Sequence, residues 1–199
     1  MSESWRERAQ RREQVSREAR LLDPEPAAPM PRLVLAAATA AWLLTLVWLV
    51  LVLPERVPTH WSGGGVPDGW SSRTGALAFS LLVPLLTLYP MLWLSRLVIV
   101  WPDGVNTPHK EWWLDTPRRL RRFERLFRED LMLIIAVTVL LFAGTELTIG
   151  YAAHQPGGEL PWWVLPVMLV PYVALLALVV ARMAVGSRYR PDESDPDLR

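Results

Sequence analysis

Four long apolar runs limit what this chain can fold into. They span roughly Leu33–Leu53, Ala76–Val100, Leu131–Ala153 and Trp162–Val185. About 20 apolar residues suffice for a helix to cross roughly 30 Å of hydrocarbon, and each run meets that length. Lipid offers nothing to an open backbone N–H or C=O, so runs of this kind close their hydrogen bonds within helices. The sequence therefore predicts an all-α integral membrane protein with four transmembrane helices. The first run is too long for a signal peptide, follows a long charged tail and ends at Leu53-Pro54-Glu55 without a small-residue cleavage site, so it reads as a retained anchor.

Charge divides the remaining chain. Seven arginines lie in the first 32 residues (Arg6, Arg8, Arg11, Arg12, Arg17, Arg20, Arg32). Seven basic residues lie between the second and third runs: Lys110, Arg118, Arg119, Arg121, Arg122, Arg125 and Arg128. Arg182, Arg188, Arg190 and Arg199 follow the fourth run or end it. The first loop holds only Arg56 and Arg73, and the third holds no Lys or Arg. The bias of Lys and Arg toward the cytoplasm then places both termini and the second loop on the cytoplasmic side of the cell membrane. The resulting division is a charged tail and linker over 1–32, a membrane domain over 33–186 and a tail over 187–199. Within the domain, outer loops cover 54–75 and 154–161, and a cytoplasmic loop covers 101–130.

Residues 2–22 mix Arg and Glu with scattered apolar positions (Trp5, Ala9, Val15, Ala19). They read as a solvated tail without a fixed partner, or alternatively as a partner-docking helix. In the second loop, Thr116-Pro117 is a helix start. Leu120, Phe123, Phe127, Leu131 and Ile134 then recur at three- and four-residue steps on one face. With arginines on the other faces, the pattern predicts a cytoplasmic amphipathic helix lying in the inner leaflet. Arg118, Arg119, Arg121, Arg122, Arg125 and Arg128 would meet anionic lipids there. Trp101, Trp112-Trp113 and Trp162-Trp163 fall where an aromatic interface belt is expected. Pro84, Pro90, Pro166 and Pro171 mark kinks in the second and fourth runs.

Chemistry has few places to reside. With no cysteine and three histidines at no ligand spacing, thiolate chemistry is excluded and a metal site is unsupported. No nucleophile elbow or phosphate loop occurs, so no cofactor is expected and the chain reads as non-enzymatic. The first outer loop is the main candidate. Gly63-Gly64-Gly65 lets the backbone bend, and Val66-Pro67-Asp68-Gly69 has the composition of a turn. His60, Asp68 and Arg73 either converge as a ligand-contacting cluster or act separately, with Asp68 making the turn and Arg73 meeting headgroups. Glu146 is an acid inside the third run and is expected to pair or face the bundle interior, within reach of His154, His60 or Arg73.

The loop and one further string carry a resemblance. Leu53-Pro54, Val57-Pro58-Thr59-His60, Gly65, Pro67-Asp68-Gly69 and Arg73 resemble the "LP-x-x-I-P-x-H … G-x-P-D-G … K" pattern of a bacterial membrane domain of unknown function. That domain also forms the N-terminal part of the immunity proteins against the SDP killing peptide. Asn106-x-Pro108-x-Lys110-x-x-Trp113-Leu114 is similar to the string that follows the second helix in those proteins. Arg73 stands where the pattern has lysine, and Trp112 where it has tyrosine. The resemblance covers roughly 33–155 and implies a multi-pass protein of the immunity or signalling type. Pro58, His60, Gly65, Asp68, Gly69 and Arg73 would then be ligand-facing, and Asn106, Pro108, Lys110 and Trp113 would form the cytoplasmic motif. A peptide outside, or a protein partner in the cytoplasm or membrane, is the expected ligand. Two alternatives remain: an accessory subunit of a membrane complex, and a small transporter-like unit using Glu146.

Overall fold

The computed structural model describes residues 5–192 and 194–198, with Trp5, Arg6 and Asp197 described in backbone only. The side chains of Trp5 and Arg6, and Arg199 entirely, thus lie outside the described residues. Helix α1 covers Trp5–Leu21 and α2 covers Pro29–Val52. Strands β1 (Arg56–Trp61) and β2 (Pro67–Ser72) follow, then α3 (Arg73–Thr87) and the short α4 (Met91–Leu94), α5 (Leu97–Val100) and α6 (Lys110–Trp113). Helix α7 runs over Pro117–Ala152 and α8 over Val164–Ala184. Among the described residues, four segments are long and apolar enough to cross a membrane: Pro29–Val52, Arg73–Val100, Pro117–Ala152 and Val164–Tyr189.

Local chemistry explains where these helices start and stop. Ser72 caps α3 by accepting a hydrogen bond from the Gly75 N–H at 3.1 Å. Helix α3 ends at Thr87 because Pro90 has no N–H to continue the ladder and disfavours helical geometry at Tyr89. Thr116 accepts from the Arg119 N–H at 3.3 Å, and Pro117 occupies the first position of α7. Inside the apolar helices, Thr39, Thr138, Thr145 and Thr148 return their hydroxyl protons to carbonyls four residues back. This gives each hydroxyl an acceptor within its own helix, and Thr39 also bonds the Tyr89 hydroxyl at 2.6 Å.

The chain divides into two compact units. The first gathers residues 1–32, 91–132 and 179–199. Its interior holds Val15, Ala19, Val98, Ile99, Trp113, Leu114, Leu120, Phe123 and Tyr189. Three expectations change here. The N-terminal stretch is not a free tail: Val15 and Ala19 are buried, and the Ser16 hydroxyl donates to the Ile99 carbonyl at 2.6 Å. Nor is there a separate interfacial helix. Leu120 and Phe123 belong to the continuous 36-residue α7, and their apolar face is covered by protein. Trp113, expected as a membrane anchor, is likewise 2% exposed; its indole donates to the Tyr189 carbonyl at 3.0 Å. An amphipathic pattern reports only that one face is covered, and here the cover is α1, α5 and the C-terminal segment.

The second unit gathers residues 33–90 and 133–178. It contains most of the apolar helix length and the only sheet among the described residues, the antiparallel hairpin β1–β2. That hairpin departs from an all-α fold. Pro67-Asp68-Gly69 was expected to be a turn but belongs to β2, while the turn itself is Ser62–Val66. The glycine run makes the reversal, with Gly65 at φ +77°, and Pro67 opens a strand where its missing N–H costs little.

Candidate functional site

The hairpin brings some of the motif residues together and separates others. His60 Nδ1 lies 2.5 Å from Asp68 Oδ1, across the bulge that follows the His60–Gly69 pairing. Both side chains are open to solvent, at 75% and 49% exposure. Gly69 lets the strands close up there, since a Cβ on it would stand 2.8 Å from the His60 Cβ. Arg73 does not join the pair. Its guanidinium donates to the Val50 carbonyl at the end of α2, and its own N–H donates to the Glu55 carbonyl at 3.0 Å. Arg73 therefore acts as a C-terminal cap, a place that suits a cation.

The remaining motif positions hold the hairpin on the loop between α7 and α8. The Gly65 carbonyl accepts from the Leu160 N–H at 2.8 Å, and a Cβ on Gly65 would meet the Leu160 carbonyl oxygen at 2.1 Å. Trp61 donates its indole N–H to the Gly158 carbonyl at 2.8 Å. Pro58 is fully buried and packs with Trp70 around Gly158, while Arg56 lies 4.6 Å over the Trp70 ring. Gly65, Gly69 and Pro58 are thus fold-defining, and His60 and Asp68 are the members left facing outward.

Glu146 is 1% exposed, and its partners are not those expected from the outer loops. Trp42 donates its indole N–H to one carboxylate oxygen at 2.8 Å, and the Thr45 hydroxyl bonds the other. Both partners come from α2, so the acid clamps two apolar helices together. His154 turns back to the Gly150 carbonyl at 2.8 Å. The spacing of Trp42 and Thr45 on one side of the first run was the available signal for this clamp.

In the first unit, the cytoplasmic-type motif is also largely structural. Trp113 lies in the core, and Lys110 donates to the Asp103 carbonyl at 2.7 Å. Asn106 and Pro108 are exposed. Most of the arginines predicted to face lipid have carboxylate partners. Arg122 meets Glu25 at 2.7 Å and Asp195 at 3.1 Å, Arg125 meets Glu25 at 3.0 Å, and Arg128 meets Glu124 at 2.6 Å. Arg121 donates to the Leu22 carbonyl at 2.7 Å, and Arg119 to the Leu198 carbonyl at 2.7 Å. Arg118 stays exposed. Arg12 reaches both Glu111 at 2.6 Å and Asp103 at 2.5 Å. The Glu111 bond lifts its pKa above the ordinary arginine value against partial burial, and Asp103 adds to the rise.

Sequence reasoning missed the centre of this unit. Asp130 is 0% exposed; it accepts from Arg182 at 2.8 Å, Arg188 at 3.0 Å and the Tyr189 hydroxyl at 2.6 Å. Neighbouring Glu129 accepts from Arg188 at 2.8 Å and from the Ala28 N–H at 2.7 Å. Acids opening one apolar run and arginines closing another were the legible hint.

Residues 35–88 match the family described as Domain of unknown function (DUF1648). The chain is also similar to an uncharacterized protein of Archaeoglobus fulgidus, 29% identical over 164 residues, which is 79% of this chain and 84% of that protein. No solved structure matches.

Proposed function

We propose that this chain is a non-enzymatic, multi-pass protein of the cell membrane, of the immunity or signalling type, whose β1–β2 hairpin is its ligand-facing surface. The observation that carries the reading is the exposed His60–Asp68 pair. Among the described residues these two exposed side chains hydrogen-bond only to each other, so no polar tie to the rest of the fold depends on them. Loops held by a rigid scaffold are where binding residues concentrate. The sparse basic content of 54–75 and 154–161 supports an outward position for both, with the termini and the 101–130 segment in the cytoplasm.

Two measurements test this. Because the chain lacks cysteine, Ser62→Cys and Ser187→Cys can each be the sole thiol. An impermeant maleimide should label the first in intact cells and the second only after permeabilisation; the reverse order overturns the orientation. His60→Ala and Asp68→Ala should abolish protection of expressing cells against the secreted peptides of competing strains at unchanged membrane abundance. Retained protection, or loss only in step with abundance, rejects the ligand-facing role.

Inner-leaflet anionic lipid is the proposed partner of Arg118, the member of its cluster left exposed. The transporter-like reading has less support, because both carboxylate oxygens of Glu146 are occupied by Trp42 and Thr45.

A further inference from the structure

Glycines at close contacts in this fold have visible reasons, and Gly144 does not. At Gly150, a Cβ would strike the Trp48 ring at 2.3 Å. At Gly144, in the C-terminal third of α7, a Cβ would sit 3.5 Å from Met168, an ordinary contact. Alanine would fit there and favour the helix. What the glycine leaves is space: it floors a cavity of about 350 Å³ between α7 and α8, walled by Leu147, Tyr151, Trp163, Val167 and Met168. Leu147, Trp163 and Val167 are exposed, so the cavity opens sideways along two helices apolar enough for a membrane.

A more polar cavity adjoins this groove at Tyr151. This second cavity of about 330 Å³ is lined by Tyr151, Gln155, Glu159 and Leu160, and Tyr151 borders both. Glu159 is exposed and has no ion-pair partner among the described residues. The 154–161 loop carries no Lys or Arg to neutralise it. His154, the other titratable group of the loop, is bonded to the Gly150 carbonyl. An apolar slot ending at an uncompensated carboxylate matches one kind of molecule.

We propose that the α7–α8 groove binds a single-chain cationic amphiphile, with the hydrocarbon chain over Gly144 and an ammonium head beside Glu159. The volume is at the small end of ligand cavities and suits one chain better than a packed helix. An anionic or zwitterionic phospholipid would bring a phosphate to a loop without a cation. The inference rests on the membrane reading given above, but not on His60 and Asp68 being ligand-facing. Since Leu160 also anchors Gly65 of the hairpin, a head group at Glu159 would lie beside that anchor.

The test uses the full chain in phosphatidylcholine vesicles, with three spin-labelled probes of one chain length: a primary amine, a carboxylate and an alcohol. Association is read from the motionally restricted fraction of the spectrum. One surface charge pair corresponds to about fivefold in binding, so the amine should be favoured over the alcohol by about that factor. Glu159→Gln should remove the preference, while Glu55→Gln, an exposed acid elsewhere, should keep it. Gly144→Leu should lower association of all three probes, and Gly144→Ala, with its ordinary contact, should leave folding intact. His60→Ala should change nothing here, which separates failure of this inference from failure of the hairpin's role. Equal association of the three probes overturns the proposal. So does an amine preference that survives Glu159→Gln, or association unchanged by Gly144→Leu.

Discussion

The two units of this molecule are held together by opposite means. The second, 33–90 with 133–178, is mostly apolar helix with isolated polar contacts: buried Glu146 with Trp42 and Thr45, and half-buried Thr39 with Tyr89 at 2.6 Å. The first, 1–32 with 91–132 and 179–199, has an aromatic centre in which Trp113, Phe123 and Tyr189 lie 5.4–6.4 Å apart. Around that centre its segments are tied by arginine–carboxylate pairs. In the membrane proposed for the apolar helices, van der Waals packing and a few hydrogen bonds must serve, because burial alone gains little in lipid. Where chain segments of high charge meet, pairing fixes which segments go together. The lesson is that the same arginines can mark a lipid-facing surface or an internal lock, and only their partners decide which.

The sharpest way to break the first unit is at Asp130. Removing one partner of a buried ion pair leaves its cations uncompensated and costs about 3–5 kcal/mol. Asp130→Ala should therefore release the 187–198 segment, read as new protease cleavage there, and lower the unfolding midpoint in detergent strongly. Arg182→Ala should cost less, since Arg182 is one of three donors to Asp130 and is partly exposed. A midpoint unchanged by Asp130→Ala would mean that the charged lock is dispensable.

Gly65→Ala ranks next and tests the hairpin of the second unit. A non-glycine residue held at positive φ costs about 1–3 kcal/mol, and the Leu160 carbonyl also blocks the added carbon. Gly64→Ala is its control, since a Cβ there meets nothing within 4 Å. Equal midpoints for the two variants would show that the hairpin is not docked on the 154–161 loop. Trp42→Phe follows. It leaves one buried oxygen of Glu146 without its donor, at about 1–3 kcal/mol, whereas Glu146→Gln keeps hydrogen-bonding atoms and should cost less. Combining Trp42→Phe with Glu146→Leu should cost less than the sum of the two, because the stranded carboxylate is then gone. Additive losses would mean the indole and the carboxylate do not interact.

How much of this was legible in the sequence follows the same division. The four long apolar segments could be read from hydropathy because one compositional rule holds along the whole of each. The α7 start at Thr116-Pro117 was legible for a local reason, a cap followed by a proline. The hairpin was not, since Pro67-Asp68-Gly69 has turn composition and only cross-strand pairing with His60 makes it a strand. The interior of the first unit was least legible. Glu25 meets Arg122 across 97 positions, and Asp130 meets Arg188 across 58. No local pattern says which of many arginines an acid will choose. Within the motif, composition left open whether His60, Asp68 and Arg73 converge, and only the hairpin pairing joins the first two while Arg73 turns away to cap α2.

The smallest expected effect on stability is at His60 itself, and that is why it discriminates. Exposed pairs contribute no more than about 1 kcal/mol, so His60→Ala and Asp68→Ala should leave the unfolding midpoint nearly where it was. Fold-defining neighbours such as Gly65 should move it. If both surface variants also lose protection in cells, function and fold have been separated within a single hairpin of six-residue strands. If instead His60→Ala destabilises the protein as much as Gly65→Ala does, the exposed pair belongs to the scaffold. The ligand-facing surface would then have to be sought elsewhere on the second unit, first along the α7–α8 groove.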